Sequence, residues 1–193
     1  MPWNKVLLAV IAMMVFGLNA VLSKIGIAEF SPFLFNFLRF AFVLPGVFFI
    51  ARPKISWTML TAIALVLSVI HLTFGTVGLY LGASAGTFVF IQQTGSIFAI
   101  LFAYLLFKQK PTAFDIAGIA LGLIGIYWIC SSKGTQGSAL AIAALVGSAV
   151  TWGLGFTLVK KAQAPSVPTT VWTSVIALPC LGVATGTFDG LDA

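Results

Sequence analysis

Long apolar runs alternate with short polar breaks along the whole chain. Each run has about the 20 residues that an α-helix, rising about 1.5 Å per residue, needs to cross a hydrocarbon core of about 30 Å. Backbone amides inside a bilayer must bond within their own helix, so such runs predict membrane-spanning helices. The predicted helices cover residues 5–25, 32–51, 57–80, 84–107, 113–131, 137–159 and 168–187. We therefore predict an all-α integral membrane bundle with seven transmembrane helices.

The breaks between the runs carry local signals for helix ends. A Ser-Pro pair at residues 31–32 precedes the second run, and Arg-Pro-Lys at residues 52–54 follows it. Thr112, with Asp115 three residues later, resembles a capping box in which Asp replaces the usual Glu or Gln. We assign Asp115 this structural role rather than a functional one.

The composition excludes an ordinary water-soluble domain. Hydrophobic residues make up 60% of the chain and charged residues 7%, with a mean hydropathy of +1.12, whereas soluble domains carry about 25% charged residues. The basic residues stand singly or in pairs in the polar breaks, so we predict no nucleic-acid partner. The sequence has no metal-ligand, nucleophile or phosphate-loop motif, and we predict neither an enzyme nor a cofactor or metal.

Lysine and arginine are distributed unequally between the two ends of the predicted helices. One end receives most of them: Lys5, Arg52, Lys54, Lys108, Lys110, Lys160 and Lys161. The other end receives only Lys24 and Lys133, together with the acidic residues Glu29, Asp189 and Asp192. Basic residues accumulate on the cytoplasmic side of membrane proteins. We therefore predict a multi-pass protein of the inner or plasma membrane with a cytoplasmic amino terminus.

The sequence also contains an internal repeat. Residues 16–18 (Phe-Gly-Leu) align with residues 152–154 (Trp-Gly-Leu). The same offset, without a gap, matches three further pairs: Lys24 with Lys160, Pro32 with Pro168, and Gly46 with Gly182. The copies begin five helices apart, an odd number, so they must enter the membrane from opposite faces. Such inverted repeats are typical of secondary transporters, which bind substrate near the midplane between the two units.

Four segments of the chain resemble a known family. FGLNAVLSKIG, SPFLFNFLRF, AGTFVFIQQTGSIFAILFAYLLFKQK and WGLGFTLVKK are similar to the EamA family of the drug/metabolite transporter (DMT) superfamily, and most like its O-acetylserine/cysteine-type amino-acid exporters. The resemblance implies an inverted-repeat bundle of ten helices in two five-helix repeats. Residues 1–131 would be the first repeat, and residues 132–193 the first two helices of an incomplete second one. The missing C-terminal helices would be supplied in cis, or a second copy would complete the fold.

One departure from the family pattern concerns a carboxylate. Family members often carry a glycine-glutamate pair just after the fourth helix, where this chain has Lys108 and Gln109. A role for that carboxylate is therefore not expected here.

Polar residues inside the predicted helices are candidates for substrate binding, because hydrocarbon disfavours them. With one aromatic residue of the repeat interface added, the candidates are Asn19, Arg39, His71, Gln92, Gln93, Thr151 and Trp152. None is predicted to be catalytic or to bind a metal. Asn19, Thr151 and Trp152 occupy matching parts of the first and sixth helices, and we expect them to face each other. Simple packing is the alternative role of Trp152.

Arg39 and His71 each allow two interpretations. Arg39 lies two helical turns after Pro32, about 10 Å along the helix axis, too deep to reach water by extending its side chain. Its guanidinium could bind a substrate carboxylate through paired hydrogen bonds, or bond neighbouring helices and hold the bundle together. Val175 occupies the matching place in the repeat, so this charge has no twin. His71 could form an interhelical hydrogen bond or carry a proton.

The two adjacent glutamines cannot both face the same cavity. Neighbouring residues of an α-helix point about 100° apart, so at most one of Gln92 and Gln93 can point squarely into it. The resemblance favours Gln93. For either residue the alternative is an interhelical hydrogen bond of about 0.6 kcal/mol.

The repeat and the resemblance together predict a secondary transporter. We expect it to export a small metabolite, such as an amino acid or a derivative, by alternating access within a lipid bilayer. A channel or a structural membrane subunit is the alternative. A membrane-embedded enzyme is less favoured, because the predicted spans contain one histidine and no carboxylate in their cores.

Overall fold

The chain folds into a bundle of apolar helices. A computed structural model describes residues 3–108, 111–131 and 137–188, and those ranges contain no strand. The helices are α1 (Trp3–Glu29), α2 (Pro32–Val43), α3 (Trp57–Ile63), α4 (His71–Tyr80), α5 (Ala85–Gln93), α6 (Gly95–Phe107), α7 (Ala113–Ser131), α8 (Ala139–Lys161) and α9 (Ser166–Phe188). A 3₁₀ turn (Leu44–Phe48) extends α2, and a π-helical segment (Ala64–Ile70) joins α3 to α4. The all-α prediction is confirmed.

Most of the predicted spans are long enough to cross a membrane. Within the described residues, five helical stretches meet that requirement by length and composition: Val6–Glu29, Trp57–Tyr80, Ala85–Phe107, Ala139–Lys161 and Ser166–Thr187. The other two predicted spans correspond to shorter apolar helices, Pro32–Phe48 and Ala113–Gly125. Of the residues used in the sequence argument, Gln109, Lys110, Lys133, Asp189 and Asp192 lie outside the described residues.

The second helix ends earlier than its apolar run. The run predicted a helix to residue 51, but α2 ends at Val43 and a 3₁₀ turn follows. Pro45 explains the difference, because it has no backbone N–H and its ring clashes with the carbonyl four residues earlier. The tighter turn is closed by a hydrogen bond from the Phe49 N–H to the Gly46 carbonyl, at 3.1 Å.

Two other predicted spans contain an interruption that the apolar pattern does not show. The span of residues 57–80 includes the π-helical segment immediately before His71, and such insertions are frequent at functional sites. The span of residues 84–107 breaks at Thr94, whose hydroxyl donates a hydrogen bond to the Ile91 carbonyl at 2.7 Å. Gly95 then begins α6.

Serine and threonine side chains begin several of the helices. The hydroxyls of Ser31, Ser56, Ser84 and Ser138 accept hydrogen bonds from backbone N–H groups three residues later. At the start of α7, Asp115 Oδ2 accepts from the Thr112 N–H at 2.7 Å, and Thr112 Oγ1 accepts from the Asp115 N–H at 3.2 Å. This reciprocal pair confirms the predicted capping box.

Helix α8 lies at the centre of the bundle and packs through small residues. A Cβ atom added to Gly153 would lie 2.7 Å from the Ala99 amide nitrogen and from the Gly95 carbonyl oxygen, so α8 and α6 are almost in backbone contact. Gly78 of α4 accepts the side chain of Leu145 in the same way. Small residues bring membrane helices this close and compensate for the absence of a hydrophobic driving force between them.

The twin helices of the repeat run in opposite directions. A Cβ added to Gly46, beyond α2, would lie 3.2 Å from Val171 near the start of α9, and one added to Gly182 of α9 would lie 3.3 Å from Phe37 near the start of α2. These two helices are therefore antiparallel, as the predicted inverted repeat requires. The first and sixth predicted spans are also antiparallel to each other. Lys24, near the end of α1, donates to the Leu79 carbonyl at 2.6 Å, and the adjacent Gly78 lies against Ala141 in the first turn of α8.

Candidate functional site

Two cavities inside the bundle share one wall. The shared wall consists of Arg39, His71, Leu72 and Trp152, which line both cavities. The Ser166 cavity has a volume of about 340 Å³, and its other lining residues include Val43, Ile63, Val159, Ser166 and Thr169. The Asn19 cavity has a volume of about 210 Å³, and its other lining residues include Asn19, Ser23, Gly75, Thr76 and Gln92.

The two cavities extend toward opposite ends of the bundle. Val159 and Ser166 flank the turn between α8 and α9. Trp57, at the start of α3, lies at the same end, because it packs against Trp172 near the start of α9. Ser23 lies near the end of α1, one residue before the lysine that reaches the last turn of α4. The shared wall therefore separates a space facing one end of the helices from a space facing the other.

A hydrogen-bonded contact joins three helices beside this wall. Ser148 of α8 lies with its Oγ 2.9 Å from His71 Nδ1 and 2.8 Å from the His71 carbonyl oxygen, at the start of α4. Gln92 of α5 donates from Nε2 to the same Oγ at 2.9 Å. His71 Nδ1 is also 2.9 Å from the Ser148 carbonyl oxygen. All three side chains are buried, so this contact fixes the position of the imidazole in the wall.

A second buried contact lies next to Arg39 in α2. Asn36, which is fully buried, donates from Nδ2 to Thr76 Oγ1 of α4 at 2.9 Å. The Thr76 hydroxyl in turn lies 2.9 Å from the Leu72 carbonyl. Asn36 is three residues before Arg39, hence on the same face of α2. This contact anchors the helix that carries the arginine.

Arg39 is the only charged side chain that lines either cavity in the described structure. Its side chain is half-buried and belongs to the shared wall. No hydrogen bond or ion pair joins its guanidinium to another described residue. Among the described residues its donors therefore have no partner, and they are available to a ligand or to water. Val175, its twin in the repeat, has an exposed side chain.

The remaining candidates in and near the wall differ in their surroundings. Asn19 lines the Asn19 cavity, and its Oδ1 accepts from the Ser23 hydroxyl at 3.1 Å. Trp152 packs edge-on against Phe156, with ring centroids 4.7 Å apart. The Thr151 hydroxyl instead lies 2.9 Å from the Gly147 and Ser148 carbonyls of its own helix, and Thr151 lines neither cavity.

The structure separates the two adjacent glutamines. Gln92 is buried and lines the Asn19 cavity, whereas Gln93 is exposed on the other side of α5. Gln93 lines a different space of about 240 Å³, together with Gly118 and Gly122 of α7. The structure thus brings together Asn19, Arg39, His71, Gln92 and Trp152, and it does not bring Gln93 or Thr151 to that site.

Sequence reasoning missed two polar residues of the site. Ser148 stands in a run of small apolar residues and was indistinguishable from a packing residue. Asn36 did carry a signal, because it is a polar residue inside a predicted span and lies one helical turn from Arg39. Within the described part of the chain, no group of three or more histidine, cysteine, aspartate or glutamate side chains could hold a metal ion.

Comparison with known proteins adds a family and two named relatives. The model of the EamA-like transporter family matches residues 3–131. A "Probable amino-acid metabolite efflux pump" of Escherichia coli K12 is 28% identical over 191 residues, which cover 95% of this chain and 64% of that protein. A protein of the same name from Salmonella typhimurium is 28% identical over 194 residues, covering 96% of this chain and 64% of that protein. The chain thus spans about 64% of the length of the curated relatives it matches. No solved structure matches it significantly.

Proposed function

Because the chain belongs to the EamA-like transporter family, we propose that it forms the substrate pathway of a secondary transporter that exports a small metabolite by alternating access. The observation that carries this proposal is the pair of cavities separated by the wall of Arg39, His71, Leu72 and Trp152. A carrier must hold its substrate near the midplane and open to one side at a time. A wall shared by two oppositely directed cavities suits that requirement.

The distribution of charge supports an orientation for export. Among the described residues, Arg52, Lys54, Lys160 and Lys161 lie at the end of the bundle that the Ser166 cavity faces. Lys24 lies at the opposite end. Cytoplasmic ends carry the excess of basic residues, so we place the amino terminus and the Ser166 cavity on the cytoplasmic side of the cell membrane. Substrate would enter the Ser166 cavity and leave through the Asn19 cavity.

The names of the two relatives support an amino acid or an amino-acid derivative as the substrate. The size and chemistry of the site agree with that class. Drug-sized ligands occupy pockets of about 300–1,000 Å³. The Asn19 cavity, at about 210 Å³, is smaller, and the Ser166 cavity, at about 340 Å³, lies at the lower end of that range. The unpaired guanidinium of Arg39 provides the planar donors that bind carboxylates in pairs. The sequence resemblance to O-acetylserine/cysteine-type exporters supports the same class.

We further propose that additional helices pack against α1. Only 12% of its membrane-spanning window is buried, compared with 33% for its twin, α8. Gly153 of α8 is pressed against α6, but its twin, Gly17 of α1, has no atom within 4 Å of an added Cβ. In a complete inverted repeat, a counterpart of α6 would fill that place. It would be a C-terminal helix in cis or a helix of a second copy. Residues 1–131 would then be one repeat, and residues 132–193 the start of the other.

Counterflow in membrane vesicles tests the transport function. Vesicles that contain the protein are loaded with a mixture of unlabelled amino acids, and uptake of the radiolabelled mixture is measured. A carrier gives saturable uptake that the internal amino acids accelerate. A channel gives uptake that rises in proportion to concentration without such acceleration, and this result would refute the proposal.

A pair of tryptophan variants tests the shared wall. Trp152→Ala removes the largest side chain of the wall, so the acceleration by internal amino acids should be lost. Trp128→Ala is the matched control, because Trp128 of α7 is 75% exposed and lines neither cavity. Equal acceleration in the two variants would show that the wall does not separate the two sides.

A further inference from the structure

The residues that line the Asn19 cavity include one with an unpaired acceptor and one with an unpaired cation. Gln92 is 3% exposed, and its Oε1 has no hydrogen-bond partner among the described residues. Arg39 lines the same cavity and its guanidinium is likewise unpaired within the described part of the chain. Buried amide oxygens are normally hydrogen-bonded. The lining of this cavity thus lacks a hydrogen-bond donor for Gln92 and an anion for Arg39.

The hydrogen bonds of Ser148 determine which end of the Gln92 amide is free. A hydroxyl has a single proton to donate. The His71 carbonyl oxygen, 2.8 Å from Ser148 Oγ, can only accept a hydrogen bond, so it takes that proton. Ser148 Oγ must then accept from Gln92, and only the Nε2 end of the amide can donate. The oxygen end is therefore the unpaired one.

The lining of the Asn19 cavity excludes a purely cationic ligand. None of the described residues that line it is acidic, and Arg39 carries a positive charge. A cationic compound would have no counter-ion there and would be repelled by Arg39. A simple carboxylate would satisfy Arg39 but leave the amide oxygen of Gln92 unpaired.

We propose, on the basis of the transport function proposed above, that the Asn19 cavity binds small zwitterions through these two groups. The carboxylate of the ligand pairs with the Arg39 guanidinium, and its ammonium group donates to Gln92 Oε1. A neutral amide oxygen accepts a hydrogen bond from an ammonium group, so the protein itself needs no charged side chain at this position of the apolar bundle. The two contacts recognise the part that all α-amino acids share, and the small volume of the cavity limits the side chain.

Three chemically matched probes test this recognition in the vesicle assay. L-Serine carries both groups, ethanolamine lacks the carboxylate, and 3-hydroxypropionate lacks the ammonium group. Exchange of radiolabelled L-serine is measured while each unlabelled compound competes. We expect L-serine to compete at least about tenfold better than either partial analogue, because a site that hydrogen-bonds a substrate group rejects ligands that lack it.

Substitutions of the two glutamines separate the proposed contact from general damage. Gln92→Leu removes the acceptor and should weaken competition by L-serine about tenfold while leaving that of 3-hydroxypropionate unchanged. Gln92→Glu places a carboxylate at the ammonium position and should strengthen competition by ethanolamine. Gln93→Leu and Gln93→Glu are matched controls on the exposed face of α5, and they should reproduce the wild-type order.

The outcomes distinguish this inference from the transport function on which it rests. If the wild-type protein exchanges the amino-acid mixture but ethanolamine or 3-hydroxypropionate competes as well as L-serine, the zwitterion site is refuted and the carrier stands. Unaltered competition in Gln92→Leu, or failure of L-serine to exchange at all, refutes it equally. Absence of exchange with the whole amino-acid mixture refutes the transport function itself. Should Gln92→Leu be poorly folded, Gln92→Glu still tests the site through its gain for ethanolamine.

Discussion

Replacement of Ser148 by alanine tests whether its hydroxyl holds α4, α5 and α8 together. Ser148 is fully buried. Its Oγ accepts from Gln92 Nε2 at 2.9 Å and donates to the His71 carbonyl at 2.8 Å. Alanine has nearly the same volume, so the substitution removes these hydrogen bonds and changes the packing very little. We therefore expect a loss of stability without a change of fold.

The size of this loss follows from two bounds. Interhelical hydrogen bonds in membrane proteins contribute about 0.6 kcal/mol each on average, so two of them give about 1.2 kcal/mol. A buried donor left without its partner costs about 1–3 kcal/mol, and the Gln92 amide N–H would be in that position. Ser148→Ala should therefore lower the free energy of unfolding by about 1–3 kcal/mol.

Thr151→Val on the same helix is the control. The Thr151 hydroxyl lies near carbonyls of its own helix only, so its removal should change stability by less than about 0.5 kcal/mol. Both variants can be unfolded by titrating sodium dodecyl sulfate into mixed micelles while helicity is followed by circular dichroism. If Ser148→Ala loses no more stability than Thr151→Val, the three-helix contact does not have the role assigned to it.

Three further predictions follow from the bundle. Gly153→Ala should lower the free energy of unfolding by about 1–3 kcal/mol, since its Cβ would lie 2.7 Å from backbone atoms of α6. Gly17 lies in open space, so Gly17→Ala should change the free energy of unfolding by less than about 0.5 kcal/mol. Similar losses of the two variants in unfolding titrations would contradict this packing. In a cysteine-free background, Glu29→Cys should react with an impermeant maleimide added outside cells and Lys160→Cys only after permeabilisation; labelling of both from one side would disprove the inverted arrangement. Arg39→Gln should reduce amino-acid exchange at least about tenfold in the vesicle assay, with partial recovery in Arg39→Lys, whereas unchanged exchange in Arg39→Gln would rule out a carboxylate contact.

The helices were predictable because each apolar run that spans the membrane must form a helix independently of the other runs. A stretch of about 20 apolar residues needs no partner to specify a span. The breaks inside the spans depend on tertiary contacts instead. Gly95, just after the Thr94 break, lies under the indole of Trp152, with Cζ3 2.9 Å from where its Cβ would be. Those two residues are far apart in the sequence, and no local pattern connects them.

The site was predictable only in part for a similar reason. Asn19, Arg39, His71 and Gln92 stood out as polar residues in apolar runs, and the structure brings them together. The preference for Gln93 came from resemblance, and which glutamine faces the cavity depends on how α5 is rotated against α8. That rotation is set by helix packing, which the sequence of α5 alone does not specify.

The departures from symmetry are more informative than the symmetry itself. Gly46 packs against Val171 of α9 and Gly182 against Phe37 of α2, so this matched pair serves the packing of α2 against α9. Arg39 has the apolar twin Val175, and a scaffold that needed a charge at this depth would need it twice. Its single occurrence, in the wall that the two cavities share, suits an asymmetric ligand. Gly17 shows the opposite asymmetry. It is a glycine, like its twin Gly153, but it lacks the close helix contact that Gly153 makes. The first asymmetry therefore supports the proposed ligand contact, and the second supports the proposed helix that packs on α1.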